Sequence, residues 1–216
     1  MNRRFLLTLA AFLVALSSVT ACSGARTSAA RVKVARSVGD VWADGCRLMA
    51  ANTVGFVVAP GLVATVAHGV QGQTSITFDG VSASVIALDA RTDTAMLRVN
   101  SNKEPLAFGA AREGETVRIS LVGNQLDTSV KSIVTITHTN IPAHTSFQRL
   151  GFVLDRPVQF GNSGAPVIND GGLVVGMVYA TAADDDQASY AVAASEIQTT
   201  LANALAGPAS GPGICP

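Results

Sequence analysis

Apolar residues in this chain come in short runs, interrupted at regular intervals by polar and turn-forming residues. Residues 53–59 (TVGFVVA) and 62–66 (LVATV) flank Pro60-Gly61, the pattern of two strands joined by a tight turn. Comparable runs follow at 74–78, 81–88, 94–99, 116–122, 130–137, 150–154, 165–169, 173–180 and 188–193. Many strands at such spacing predict an all-β sandwich or barrel. The period changes near the end. Over 194–206, Ile197, Leu201 and Leu205 recur every four residues, which predicts one helix with these three on a single face. Gly207 and Pro208 stop it. The polar, turn-rich stretch 100–115 predicts a seam between two sets of strands, and Asp184-Asp185-Asp186 reads as a solvated hairpin tip.

The amino-terminal segment departs from this pattern. Residues 1–22, MNRRFLLTLAAFLVALSSVTAC, begin with Arg3 and Arg4, continue through an apolar run broken by Thr8 and end in small residues. That is an export signal, too short and wrongly flanked for a membrane span. Its end, Val19-Thr20-Ala21-Cys22, resembles the lipobox of bacterial lipoproteins, which implies cleavage before Cys22 and lipid modification of that cysteine. The alternative is an ordinary cleavable signal with a chance cysteine. Residues 23–30 (SGARTSAA) are small and polar, and a flexible tether is expected over 23–37, ahead of a folded domain over 38–216. The expected location is outside the cell, lipid-anchored at the outer face of a bacterial cell membrane or secreted.

Composition narrows the partners. The 216 residues are 48% hydrophobic and 14% charged, enough chain for one large domain or two small ones with a real core. Without the signal, 13 basic residues face 15 acidic ones, and no basic stripe exists to carry nucleic acid. With Cys22 assigned to lipid, Cys46 and Cys215 remain, an even pair in an oxidising compartment. The segment AGPASGPGIC, ending at Cys215, has too little apolar surface to hold itself down. A Cys46–Cys215 disulfide is therefore expected, pinning the tail across the first set of strands and tying the two sets together. Two unpaired thiols, or a bridge to another chain, are the alternatives.

Candidate chemistry centres on FGNSGAPV, residues 160–167, where Ser163 stands between Gly161-Asn162 and Gly164. A serine hydroxyl is a weak nucleophile and needs a general base, itself oriented by a third group. The only histidines, His68, His138 and His144, all precede Ser163. This excludes the order Ser…Asp…His, and Ala165 breaks the G-x-S-x-G elbow. Neither H-E-x-x-H nor S-x-x-K occurs, and no metal or cofactor is expected. The order His…Asp…Ser is left open. His68 ends ATVAH just past an apolar run, Asp93 opens DTAML at the entry to another, and Ser163 lies in GNSG. Taken singly, each has a plainer reading: a turn for GNSG, a core or surface histidine, and a turn cap for Asp93. His138 and His144, in THTNIPAHTS, carry no motif and read as strand-end or loop residues, one of which could line a cleft.

Taken together, the three motifs resemble the trypsin-like (chymotrypsin-fold) serine peptidases over roughly residues 38–200. The lead-in Pro60-Gly61-Leu62-Val63-Ala64-Thr65 is most similar to bacterial HtrA-like members, with no PDZ-sized extension behind it. The resemblance implies two six-stranded antiparallel barrels over roughly 38–105 and 110–193, followed by a helix over 194–206 and a tail over 207–216. It implies His68 as base, Asp93 as its orienting acid and Ser163 as nucleophile. It also implies an oxyanion hole from the N–H groups of Gly161 and Ser163, where a residue without Cβ permits the sharp turn. The family usually has a second glycine where Ala165 stands. Pro157 falls at the base of the primary pocket, followed by Val158, with Val178-Tyr179-Ala180 as one wall. No acid occupies the position that selects Arg or Lys, so a small apolar pocket is implied. The expected function is that of an exported serine endopeptidase acting on protein or peptide substrates. The alternatives are a binding or scaffold protein built on the same fold, and an enzyme latent until a partner remodels the oxyanion loop.

Overall fold

The computed structural model describes residues 31–46, 49–140, 145–181 and 187–215. The first barrel comprises β1 (Val38–Asp44), β2 (Ala51–Ala59), β3 (Leu62–Thr65), β4 (Ser75–Phe78), β5 (Val81–Asp89) and β6 (Thr94–Val99). It closes in the order β1-β2-β3-β6-β5-β4. The second comprises β7 (Thr116–Leu121), β8 (Asn124–Asn140), β9 (Thr145–Leu154), β10 (Pro166–Asn169), β11 (Val174–Thr181) and β12 (Ser189–Ala193), closed as β10-β11-β12-β9-β8-β7. Neighbouring strands are antiparallel throughout, as in the register Val63↔Leu97 of β3 and β6. Helix α1 is described over 31–37, the single turn α2 spans Ala67–Val70, and α3 spans Ala194–Ala206. The two expected barrels and the C-terminal helix are all present.

The unbroken apolar runs of β2 and β3 follow from where those strands lie. Val57 and Val63 point into the first barrel with Val41, Phe78 and Leu97. Their neighbours Phe56, Val58, Leu62 and Ala64 face the other way, into a core continuous with Ile119, Phe152 and Met177 of the second barrel. A strand buried on both faces has no polar side to alternate.

Several elements differ from the sequence expectation, each for an identifiable reason. β1 is absent from the apolar runs because Gly39, Asp40 and Asp44 dilute it, yet Val41 and Ala43 are fully buried. β8 is far longer than the run at 130–137: its first half pairs with β7 and its second with β9, so polar residues at both ends are held by ladder bonds. On α3, Leu205 is 67% exposed, and the buried stripe is Ala194, Ile197, Thr200 and Ala204. A strict four-residue spacing drifts by about 40° per step on a helix of 3.6 residues per turn, so two steps from Ile197 carry Leu205 off the core. The inner end of the expected tether is also ordered. Val34 is buried, and the Ser37 hydroxyl, 3.0 Å from the Lys33 carbonyl, donates to the Glu104 carbonyl at 2.7 Å.

The tail returns to the first barrel. α3 packs against β5, β6 and β11, and beyond it the Ser210 N–H donates to Ile86 O and the Gly72 N–H to Pro212 O. Cys215 then forms a disulfide with Cys46, with Cα atoms 5.6 Å apart across 169 residues of sequence. This is the expected bridge. The chain-entropy model gives such a loop an upper stabilisation of about 5 kcal/mol. Reductant should therefore lower the urea midpoint of unfolding and speed hydrogen exchange at the Gly72 amide. An unchanged midpoint would contradict a stabilising role for the bridge.

Candidate active site

His68 sits on α2, the single turn that follows β3, and Asp93 sits at the entry to β6, the strand paired with β3. The pairing brings two residues 25 apart in sequence side by side. Asp93 adopts a left-handed conformation, φ 57°, which turns its carboxylate back toward α2. Its Oδ1 accepts the His68 backbone N–H at 2.8 Å, its Oδ2 meets His68 Nδ1 at 2.7 Å, and its carbonyl accepts the Ala67 N–H at 3.2 Å. The carboxylate is 13% exposed, whereas the imidazole is 42% exposed, so one edge of the ring faces outward. The residues flanking Asp93 are joined to α3 by a chain of hydroxyls: Thr92 to Thr94 at 2.8 Å, and Thr94 to Thr200 at 2.5 Å.

Ser163 comes from the second barrel, in the loop between β9 and β10. Its carbonyl accepts the Val54 N–H of β2 at 2.8 Å, which fastens the loop to the first barrel. Its hydroxyl makes one long hydrogen bond, 3.4 Å, to the Tyr179 carbonyl. The N–H groups of Asn162, Gly164 and Ala165 donate to Gln159 O, Val178 O and Asn162 O. Among the described residues no acceptor takes the N–H of Gly161 or of Ser163. The loop therefore leaves two donors unused, one on either side of Asn162. The Asn162 side chain accepts the Gln159 N–H at 2.9 Å and closes the turn on itself.

Two glycines permit this path, both at φ 89°. Gly164 is the more constrained, because a Cβ there would lie 1.9 Å from the Val54 carbonyl oxygen. Backbone cannot retreat as a side-chain end can. Gly164→Ala should cost about 3 kcal/mol of stability, combining left-handed strain with overpacking, and should reduce activity alongside it. Thermal unfolding and casein hydrolysis measure the two effects, and a parental melting temperature would refute the clash. Ala165, where the family usually has glycine, is fully buried with its methyl in the core, and its N–H and carbonyl both make backbone bonds.

His68 and Gly69 of α2 line one cleft of about 720 Å³ with Gly161 and Ser163, and Met49, Asn52 and Phe160 border it. The structure thus brings His68, Asp93 and Ser163 to the junction of the barrels. Of the implied pocket residues, Pro157 is exposed, Val158 is buried, and Tyr179 and Ala180 are half-buried. Val178 is fully enclosed in the barrel core, so it offers a cleft only its backbone. Thr181, which the motifs did not mark, donates its hydroxyl to Val158 O at 3.1 Å and ties the two implied walls together. Met49 and Phe160 are exposed apolar residues at the cleft; only Phe160, adjoining GNSG, had a sequence signal. His138 lies on β8 opposite Phe147, while His144, Cys22 and Asp184-Asp185-Asp186 lie outside the described residues.

Residues 53–177 match the family model described as the trypsin-like peptidase domain. The serine protease Rv3671c of Mycobacterium tuberculosis is 29% identical over 174 residues, which is 74% of this chain and 44% of that protein. The chain thus spans less than half the length of the curated relatives it matches. The crystal structure of the active form of Rv3671c superposes with a TM-score of 0.77 at 27% identity, covering 86% of this chain and 88% of that one. The HtrA-type protease AlgW, with a tripeptide, shares the fold at a TM-score of 0.68 and 16% identity, covering 83% of this chain and 64% of its own.

Proposed function

Since this chain belongs to the trypsin-like peptidase family, we propose that it is a serine endopeptidase whose catalytic residues are Ser163, His68 and Asp93. The observation that carries the reading is the His68–Asp93 pair, joined at 2.7 Å, with His68 lining the same cleft as Ser163. A carboxylate on Nδ1 keeps the proton there and leaves Nε2 as the base. Ser163 Oγ attacks the peptide carbonyl carbon as His68 takes its proton, and the carbonyl π electrons move onto oxygen. In this reading the N–H groups of Gly161 and Ser163, which no acceptor takes among the described residues, receive that oxyanion. Collapse of the intermediate expels the amine, which takes the proton from His68, and leaves an acyl ester on Ser163. A water, deprotonated by the same imidazole, hydrolyses the ester and restores the serine. The substrate is an extended protein or peptide segment lying between the barrels. Fluorophosphonate labelling of the folded protein, with casein hydrolysis beside it, tests the reading, because labelling requires an activated serine. A protein that is neither labelled nor active on casein would count against it.

The same reading places the enzyme outside the cell, on a lipid anchor at Cys22. Its support is the signal-like segment 1–22, and a disulfide suits an oxidising compartment. Two or more acyl chains hold a protein to a membrane where one does not. Cys22→Ser should release the protein into the soluble fraction or block its processing. An intact mass with unmodified Cys22, or a mature protein lacking it, would overturn the anchor.

A further inference from the structure

Arg118 and Arg149 are both buried in the second barrel, 6% and 8% exposed, but they are neutralised differently. Arg118 has Asp170 at 3.1 Å. Arg149, on β9, has no carboxylate partner among the described residues, and its Nε is enclosed without a hydrogen-bond acceptor. Buried cations are ordinarily paired, because removing a guanidinium from water without a counter-charge is unfavourable. What Arg149 does have is the Tyr179 ring, with Cζ 4.0 Å from the ring centroid, and Tyr190 stacked at 6.2 Å from Tyr179. Tyr179 supplies no anion. Burial raises the pKa of its hydroxyl, and the nearby Arg149 charge only works against that shift, so the ring remains a neutral phenol.

The position of this cation, without a carboxylate among the described residues, gives it meaning. The Tyr179 carbonyl accepts the Ser163 hydroxyl, and the Asp93 charge acts on the Tyr179 side chain. Arg149 therefore stacks on the residue whose backbone carbonyl accepts the Ser163 hydroxyl. Tyr179 belongs to the strand implied as a wall of the primary pocket, hence to the side that receives the chain before the scissile bond. Met49 and Phe160 border the cleft beside His68 and Ser163 instead, and Arg149 is not among that cleft's lining residues. A separate open groove of about 820 Å³, lined by Arg91, Ser146, Phe147 and Gln148, adjoins the same stretch of β9 and adds a second cation, Arg91.

Building on the peptidase reading, we propose that Arg149 determines specificity by pairing with a carboxylate in the substrate segment preceding the scissile bond. A carboxylate there would meet a planar fork of donors already ordered by stacking on Tyr179. Its amide isostere would occupy the same space without the charge. The favoured substrates are thus peptides with Glu or Asp two to four residues before the cleaved bond.

Decapeptide pairs that differ only in Glu or Gln at one of those three positions test the proposal in two arms. In turnover by the parent protein, kcat/KM should favour Glu by roughly tenfold at one position, the scale of a charge-assisted hydrogen bond. Arg149→Gln should bring that ratio to about one, and Arg149→Lys should retain part of it, since a point charge survives without the fork. In the second arm, fluorescence anisotropy measures Kd for the same pairs on Ser163→Ala, where no cleavage intervenes. The preference for Glu should persist there and shrink as ionic strength rises. A parent that neither takes up fluorophosphonate nor cuts any peptide would refute the peptidase reading, while the binding arm would still decide Arg149. Glu:Gln ratios near one at all three positions, or a preference that Arg149→Gln leaves intact, would overturn the proposal. Should Arg149→Gln fail to fold, Arg149→Lys and the salt dependence decide between the outcomes.

Discussion

Ser163→Ala should leave the fold and its stability as they are and lower kcat by on the order of a millionfold, the scale seen when a peptidase nucleophile is removed. The structure separates the two effects. The loop is held by backbone bonds, from Val54 N–H to Ser163 O and from Gly164 N–H to Val178 O, and alanine keeps both. The hydroxyl contributes only a 3.4 Å bond to the Tyr179 carbonyl, so its loss should change stability by less than about 1 kcal/mol. Any residual hydrolysis would come from the Gly161 N–H, the N–H at position 163 and substrate binding. Thermal unfolding should coincide with the parent, while labelling and casein cleavage disappear. Cleavage at the parental rate would remove Ser163 from the mechanism.

Asp93→Asn should reduce kcat by about 10⁴ with little structural change, a separation that a simple packing defect would not give. Asparagine tolerates the left-handed conformation that Asp93 occupies at φ 57°. Its side-chain oxygen can still accept the His68 backbone N–H, as Oδ1 does now at 2.8 Å. The change falls on the other contact. Where Oδ2 now meets Nδ1 at 2.7 Å, an amide NH₂ would donate to the ring. Nδ1 must then accept, the proton moves to Nε2, and the imidazole can no longer take a proton from Ser163. Raising the pH should not restore the rate, because the fault is one of tautomer rather than charge. A variant with more than about a tenth of the parental kcat would show that the carboxylate does not set the tautomer.

What could be read in the sequence was local and chemical. His68, Asp93 and Ser163 were legible because each lies at a strand end or turn within a short motif, and because the positions of the histidines excluded other orders. The strands buried on both faces were legible as apolar runs. β1 was not, since Gly39 and two aspartates obscure an alternation that only pairing with β2 and β4 makes meaningful. The implied pocket wall shows the same limit. Val174–Val178 are all buried, so β11 first reaches partial exposure at Tyr179, one residue later than expected. Arg149 illustrates the case most sharply. In QRLGFVL it is one cation in an apolar run, and nothing in its neighbours reveals that Tyr179, on another strand, will stack against it.

The bridge between Cys46 and Cys215 also sets a schedule for the newborn chain. A ribosome makes the first barrel's strands early, but Cys215 emerges only 169 residues after its partner. The helix whose Thr200 hydroxyl bonds Thr94, the neighbour of Asp93, is made almost as late. A half-made chain can pair its early strands, yet it lacks both the closing thiol and the hydroxyl that bonds Thr94. Maturation therefore waits for the far side of the domain, and a chain cut short before Cys215 cannot complete it.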